Sequence, residues 1–145
     1  MSDTFYKDLE SGKKIEKAVL SIIKKKYPKS YIIDGYFKDY DIYVPEKDIG
    51  VEVKRDEKSK YTGNIVVEIE FDGKPSALST TKADWWAQVL TTDSDIEGIL
   101  MFPVEKLKKI VKKSIFKGKG RMVMGGDDKT SEIALVPLED LTNGI

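Results

Sequence analysis

Asp41, Glu52 and Lys54 stand inside two apolar, strand-like runs of "DIYVPEKDIGVEVKRD", residues 41–56. Between the runs, Pro45, Glu46, Lys47 and Asp48 read as a four-residue hairpin loop. That loop sets Val44 opposite Ile49, Ile42 opposite Val51 and Tyr40 opposite Val53. Strand side chains alternate between faces, so Tyr40, Ile42, Val44, Ile49, Val51 and Val53 are expected on one apolar face. Asp39, Asp41, Tyr43, Gly50, Glu52 and Lys54 then share the other, with Asp41 directly across from Glu52. Opposed side chains lie roughly 5 Å apart, and two like charges at that distance repel by about 3 kcal/mol at an effective dielectric of about 20. A divalent cation between the carboxylates would reverse the sign. Lys54, further along the same face, could then reach a metal-bound water or a phosphate.

A solvated polar sheet face is the plainer explanation of the same residues, in a chain that is 34% charged. The (D/E)-x-K spacing also recurs, at Asp56-Lys58, Asp72-Lys74 and Asp127-Lys129. Those pairs sit in turn-like or polar surroundings, whereas Glu52-Val53-Lys54 lies in an apolar β run with an acid across the hairpin. The residues alone leave both readings open.

Composition narrows the chemistry. The 145 residues suit one domain with a sizeable core. There is no Cys and no His, which excludes thiol nucleophiles, Ser-His-Asp triads, zinc-finger ligands, histidine bases and a disulfide framework. Catalysis would have to run on carboxylates, lysines, hydroxyls and a hard, oxygen-ligated cation such as Mg²⁺ or Mn²⁺. Residues 1–10 are polar and acidic with no apolar core of a signal sequence, and no apolar run approaches membrane-spanning length. The expectation is a cytoplasmic protein with no membrane partner and a loosely packed N-terminal stretch over about residues 1–10.

Formal net charge is zero, which argues mildly against a nucleic-acid binder. The distribution softens that argument. In "PVEKLKKIVKKSIFKGKGR", residues 103–121, eight basic residues accompany one acid, Glu105. Val104, Leu107, Ile110, Val111 and Ile115 recur at helical spacing, so Lys108, Lys109, Lys112 and Lys113 form the outer face of an amphipathic helix. That face is either solvated or phosphate-binding.

The remaining pattern is that of a single α/β unit. Ile15, Ala18, Val19, Ile22 and Ile23 predict a helix over about Ser11–Lys26, stopped at Tyr27-Pro28, with Glu16 at the edge of its apolar stripe. Strands are expected at Tyr31–Ile33, Tyr40–Val44, Ile49–Arg55 and Ile65–Phe71. "STTKADWWAQVL" reads as a second helix capped by Thr81, with Asp84 in its first turn. Gly98–Pro103 reads as a buried strand, and strands at Arg121–Met124 and Glu132–Val136 close on a Gly125-Gly126-Asp127-Asp128 turn. The order αβββαβ, followed by an extra helix and a C-terminal hairpin, predicts a mixed central sheet flanked by helices.

These residues together resemble the PD-(D/E)XK nuclease superfamily: Gly12-x-x-x-Glu16 on a helix, Asp41 at a strand, and Glu52-x-Lys54 on its hairpin partner. The spacing of the helix Glu is similar to that of archaeal Holliday-junction resolvases. "GNIVVEIE", "GKPSALSTTKADWW", "ILMFPVEKLKKIV" and "GGDDKTSEIALVPLEDL" look like small nucleases of phages and prokaryotes. The resemblance covers roughly Ser11–Leu141, and Tyr40 stands where the pattern often has Pro. It implies a restriction-endonuclease-like fold over residues 1–145 and a Mg²⁺- or Mn²⁺-dependent endonuclease acting on DNA, selective for branched or junction structures, in a prokaryotic cell or phage-infected host. Asp41 and Glu52 would hold the metal, with the Val53 carbonyl as a third ligand and Glu16 acting through a bound water or a second ion. Lys54 would orient or deprotonate the attacking water.

Other polar residues are open between roles. Glu68 would be a further ligand, a holder of Lys54 or a plain surface acid. Thr80, Thr81 and Lys82 would receive a phosphate at a helix N-terminus or simply cap it. The more exposed of Trp85 and Trp86 would stack on a base or pack in a homodimer interface. The competing function class is a non-catalytic binding module that keeps the nuclease fold; the intact Asp41, Glu52 and Lys54 favour the enzyme.

Overall fold

The computed structural model describes residues 3–36, 38–92, 95–125 and 130–143, with side chains from residue 12 onward except those of 71 and 143. Helix α1 (Asp3–Lys24) leads into strands β1 (Tyr31–Ile32), β2 (Ile42–Val44) and β3 (Ile49–Asp56), then a single-turn helix α2 (Ser59–Thr62). Strands β4 (Asn64–Phe71) and β5 (Lys74–Pro75) follow, and a 3-10 turn at Ala77–Ser79 precedes β6 (Trp85–Thr91) and β7 (Ile96–Pro103). The chain ends with α3 (Val104–Phe116), β8 (Arg121–Gly125), β9 (Ser131–Pro137) and α4 (Leu138–Asn143).

Two sheets result. The first is mixed, in the order β1-β2-β3-β6-β7, with β3 and β6 parallel. The second is antiparallel, in the order β5-β4-β9-β8. On α1, Ile15, Val19 and Ile23 follow one another at a spacing of four and are buried over Ile42, Val44, Val51, Val53, Ala87 and Val89 of the first sheet. Ile22 falls off that stripe and is 48% exposed. On α3, Val104, Leu107, Ile110 and Val111 are buried with Ile65, Val67, Trp86, Ala134 and Val136, in a core that both sheets share. No helix among the described residues is long and apolar enough to cross a membrane.

The mixed α/β architecture, the extra helix and the C-terminal hairpin follow the sequence pattern, with corrections. Helix α1 begins at Asp3, well before Ser11. The strand at Ile65–Phe71 belongs to a separate sheet with β9, not to one central sheet. Of the Gly125-Gly126-Asp127-Asp128 turn, residues 126–128 lie outside the described residues. The largest correction concerns "STTKADWWAQVL": it holds no helix, and Trp85–Thr91 is the central strand β6. Thr81 caps no helix; its hydroxyl accepts from Ala83 N–H (3.2 Å). Asp84 is used in pairing, its N–H donating to Gly50 C=O (2.9 Å) and its Oδ2 accepting from Gly50 N–H (3.0 Å). In a strand the adjacent indoles point to opposite faces. Trp86 fills the shared core at 1% exposure, and Trp85 packs half-buried toward the α1 side. Having cores on both faces decides for strand over the local helical cues.

The sheets are tied by a buried polar network. Asp56, at the end of β3, accepts from Lys58 and Ser59 N–H at Oδ1 and from Val66 N–H at Oδ2, each at 3.0 Å. Gln88 on β6 donates from Nε2 to Asp56 Oδ2 (2.8 Å) and Val66 C=O (3.1 Å), and its Oε1 accepts from Trp86 Nε1 (2.8 Å). Each buried donor or acceptor left without a partner costs about 1–3 kcal/mol. Gln88→Leu removes three of these bonds, so it is expected to lower unfolding free energy by about 2 kcal/mol or more. Urea unfolding checks this; a loss under about 0.5 kcal/mol, typical of a surface change, would contradict it.

Candidate active site

The β2–β3 register is the one the hairpin loop dictates as far as Ile42: Val44 pairs with Ile49, Tyr43 with Gly50 and Ile42 with Val51. There it slips. Asp41 N–H also turns to Val51 C=O (3.0 Å), and Val53 N–H donates to the Asp41 side chain, Oδ2, at 2.8 Å. A one-residue slip exchanges faces, which corrects two expectations. Asp41 is not paired with Glu52 in the strand ladder; its carboxylate reaches in from the edge of β2. Tyr40 leaves the apolar face and lies on the polar one, over Gly50. Of the remaining apolar set, Ile42, Val44, Val51 and Val53 are buried as expected and Ile49 is partly buried against them.

Around Asp41, which is 8% exposed, the chain gathers the other acids and two cations. Lys38 Nζ lies 3.1 Å from Asp41 Oδ1 and 3.6 Å from Glu16 Oε1, and it also donates to Ile33 C=O (3.3 Å). Lys54 Nζ lies 3.3 Å from Glu52 Oε1 and 6.0 Å from the Trp86 ring centroid. The two ammoniums do not fully offset the carboxylates. Burial, and then the Asp41 charge, push Glu52 up to about 7 against the pull of Lys54. Burial and Asp41 also raise Glu16, opposed by Lys38. Lys38 is itself raised: its burial acts downward, but its bonds to Asp41 and the charges of Asp41 and Glu16 outweigh it.

Among the described residues no group of three or more acids stands close enough to form a complete metal cage. The donor set is nonetheless suited to a hard cation that binds through one or two carboxylates and keeps several waters, as Mg²⁺ does. Val53 is fixed in the site by its N–H bond to Asp41.

Glu52 and Lys54 open onto a cleft of about 280 Å³ that Lys38, Asp39, Ala77, Thr80, Thr81 and Lys82 also line. Thr80, Thr81 and Lys82 therefore share a cleft with Glu52 and Lys54, from the loop after the 3-10 turn and not from a helix N-terminus. Lys82 pairs with Asp39 at 3.5 Å. Glu68 does not join Asp41 and Glu52. Its carboxylate accepts from Ser76 Oγ (2.9 Å) and Ser131 Oγ (3.0 Å), in a second cavity of about 310 Å³ that Lys54 and Trp86 also line. The α3 lysines are apart as well: Lys108 and Lys112 border an apolar groove of about 350 Å³ with Leu78, Ser79, Val111 and Met122, and Lys109 and Lys113 face solvent.

Lys38 is the site residue that the sequence pattern missed. It sits in an irregular segment, and its position three residues before Asp41 is the one signal that could have pointed to it.

The raised Glu52 has a pH consequence in metal-free protein. Folding lifts its pKa from 4.5 to about 7, so the folded state holds the proton more tightly than the unfolded one. The associated stability is complete below about pH 4.5 and is lost as pH rises through about 7. Thermal unfolding in EDTA should show wild type losing stability relative to Glu52→Gln across that window and levelling off above it. Parallel curves for the two proteins would contradict the electrostatic picture.

No family model matches the chain. It is 38% identical over 73 residues to an uncharacterized protein of Acanthamoeba polyphaga mimivirus, a match covering 49% of this chain and 58% of that relative's length. Among solved structures it is similar to a bacterial homing endonuclease, I-Ssp6803I, at a TM-score of 0.47 and 21% identity, covering 88% of this chain and 77% of the other.

Proposed function

We propose that the protein is a metal-dependent endonuclease of the PD-(D/E)XK type that hydrolyses phosphodiester bonds in DNA, with a preference for branched or junction structures. The observation that carries this reading is one juxtaposition: Asp41 and Glu52 share a half-buried site with Lys54 on the β3 face beside them, and burial and mutual charge push Glu52 up to about 7. Asp41 has Lys38 and Glu52 has Lys54 as an ammonium partner, yet Glu52 stays raised.

Asp41 and Glu52 would hold Mg²⁺ or Mn²⁺, with the Val53 carbonyl and Glu16 as further donors. When bound, the ion supplies a water that is nucleophilic near neutral pH and takes up charge developing on the phosphoryl oxygens. Lys54 Nζ, 3.3 Å from Glu52, holds the attacking water and offsets charge on the phosphate. Lys38 fixes Asp41 and Glu16 relative to each other through its two ion pairs. Thr80, Thr81 and Lys82, across the same cleft, offer hydroxyls and a charge to the DNA backbone. Lys108, Lys109, Lys112 and Lys113 would extend the contact along a longer duplex arm.

The test is a cleavage panel of branched, single-stranded and linear duplex DNA with Mg²⁺ or Mn²⁺, on wild type and Lys54→Ala. Wild type should cut, with branched substrates preferred. Lys54→Ala should still bind metal and DNA but lose about 100-fold or more in rate, as expected for removal of a group that acts on the water or developing charge. Near-normal turnover by Lys54→Ala would remove the role assigned to the amine. No cleavage of any substrate by wild type would leave a binding module in place of an enzyme.

A further inference from the structure

The polar face of the first sheet carries a row of aromatic rings that phosphodiester hydrolysis does not use. Strand register sets Tyr31, Tyr43 and Gly50 side by side across β1, β2 and β3. The Tyr31 and Tyr43 rings meet edge to face at 5.9 Å, and Tyr40 lies nearly parallel to Tyr43, 18° apart with centroids at 6.2 Å. Tyr40 rests on the bare backbone of Gly50, where a Cβ would come within 2.3 Å of its ring. Two departures from ordinary sheet design combine to put it there: the slip at Asp41, and a glycine inside a strand, which often marks a close approach. Tyr31 remains 50% exposed and Tyr43 is half-buried, while Tyr40 packs half-buried against the shared core and backs the row, so the open ring surface is that of Tyr31 and Tyr43.

The row adjoins the carboxylates. Gly50 and Glu52 share one face of β3, two residues apart, a separation of roughly 7 Å. Beyond Glu52 on the cleft side come Lys54, Lys38 and Lys82. These lysines are each paired, Lys82 with Asp39, Lys54 with Glu52 and Lys38 with Asp41 and Glu16, and Asp48 accepts the Tyr43 hydroxyl. An aromatic row beside a cleft that carries Lys38, Lys54 and Lys82 suits a nucleic-acid strand whose bases are unpaired, because every base has a face that a ring can stack on. A continuous duplex keeps its base faces stacked inward and offers nothing to the rings.

We propose that Tyr31, Tyr40 and Tyr43 form a stacking platform for unpaired bases of a single-stranded DNA segment that adjoins the bond at the Asp41–Glu52 site. The inference deepens the nuclease reading by naming its substrate class: DNA with a single-stranded arm beside the cleaved position. It depends on that reading for the cleaved bond, not for the binding.

Binding is measured in EDTA, by fluorescence anisotropy with a labelled oligothymidine strand, a forked duplex and a blunt duplex. Tyr31→Ala and Tyr43→Ala should each weaken binding of the strand and the fork by roughly five- to hundredfold, the loss associated with one stacked base. Blunt-duplex binding should stay within about twofold, since those bases never reach the rings. Tyr31→Phe keeps the ring and should bind like wild type. Unchanged strand binding by both alanine variants would overturn the platform, and so would equal losses on all three DNAs. A change in the sedimentation of the DNA-free protein on Tyr31→Ala would also overturn it, by assigning the rings to an interface between copies. The two readings fail separately: selective loss of strand binding without cleavage at any metal sinks the nuclease and keeps the platform, whereas cleavage unaffected by the tyrosines does the reverse.

Discussion

The bond from Val53 N–H to Asp41 Oδ2 is the constraint on which the site depends. A hairpin in regular register would pair Asp41 with Glu52 in the ladder, as an ordinary strand residue, and would give that donor to the backbone. Taking it with a side chain ends β2 at Ile42 and brings a carboxylate in beside Glu52. The same slip turns Tyr40 onto the polar face, over Gly50. It leaves Lys38 near enough to bridge Asp41 and Glu16, and so couples the first helix to the sheet edge. The Asp41 bond to Val53, the Lys38 bridge and the place of Tyr40 thus follow from one local departure from β geometry.

Two acids on β3, four residues apart, show how differently the fold treats a carboxylate. Asp56 is 3% exposed and accepts four hydrogen bonds, three from backbone N–H and one from Gln88. It knits the sheets together, and a group so fully engaged has little left to offer a ligand. Glu52 has one cation at 3.3 Å and an unfriendly neighbour in Asp41. The first arrangement serves stability. The second leaves Glu52 raised to about 7 in the free protein, a perturbation of the kind that gathers at functional sites.

The hairpin and its apolar face were legible because the turn residues and strict alternation act locally and agree. Helix α3 was legible for the same reason, its stripe being of period near 3.6. The "STTKADWW" segment misled because Thr81 and Asp84 imitate a helix start. What decides it is non-local: parallel pairing with β3, and cores on both sides for Trp85 and Trp86. Two sheets in place of one could not be read from strand order alone, since β4 chooses β9, some seventy positions away in sequence, over its neighbour β3. Of the candidate site, Asp41, Glu52 and Lys54 stood out by type and spacing and Glu16 by the resemblance. The structure gathers these side chains, though Asp41 enters from the strand edge and not in the expected register. Lys38 was not legible, because an irregular loop carries no period to locate it.

The central claim is that Asp41 and Glu52 together await a divalent cation. Thermal unfolding of wild type and Asp41→Asn, in EDTA and then with Mg²⁺ or Mn²⁺, tests it most directly. Asn keeps an oxygen for Val53 N–H and removes one charge, and with it both the repulsion on Glu52 and the ion pair with Lys38, so the metal-induced shift and not the stability in EDTA is the deciding quantity. Either ion should raise the melting temperature of wild type, because a ligand held only by the folded state stabilises it by mass action, and should do much less for the variant. Equal metal-induced shifts in the two proteins would contradict the account.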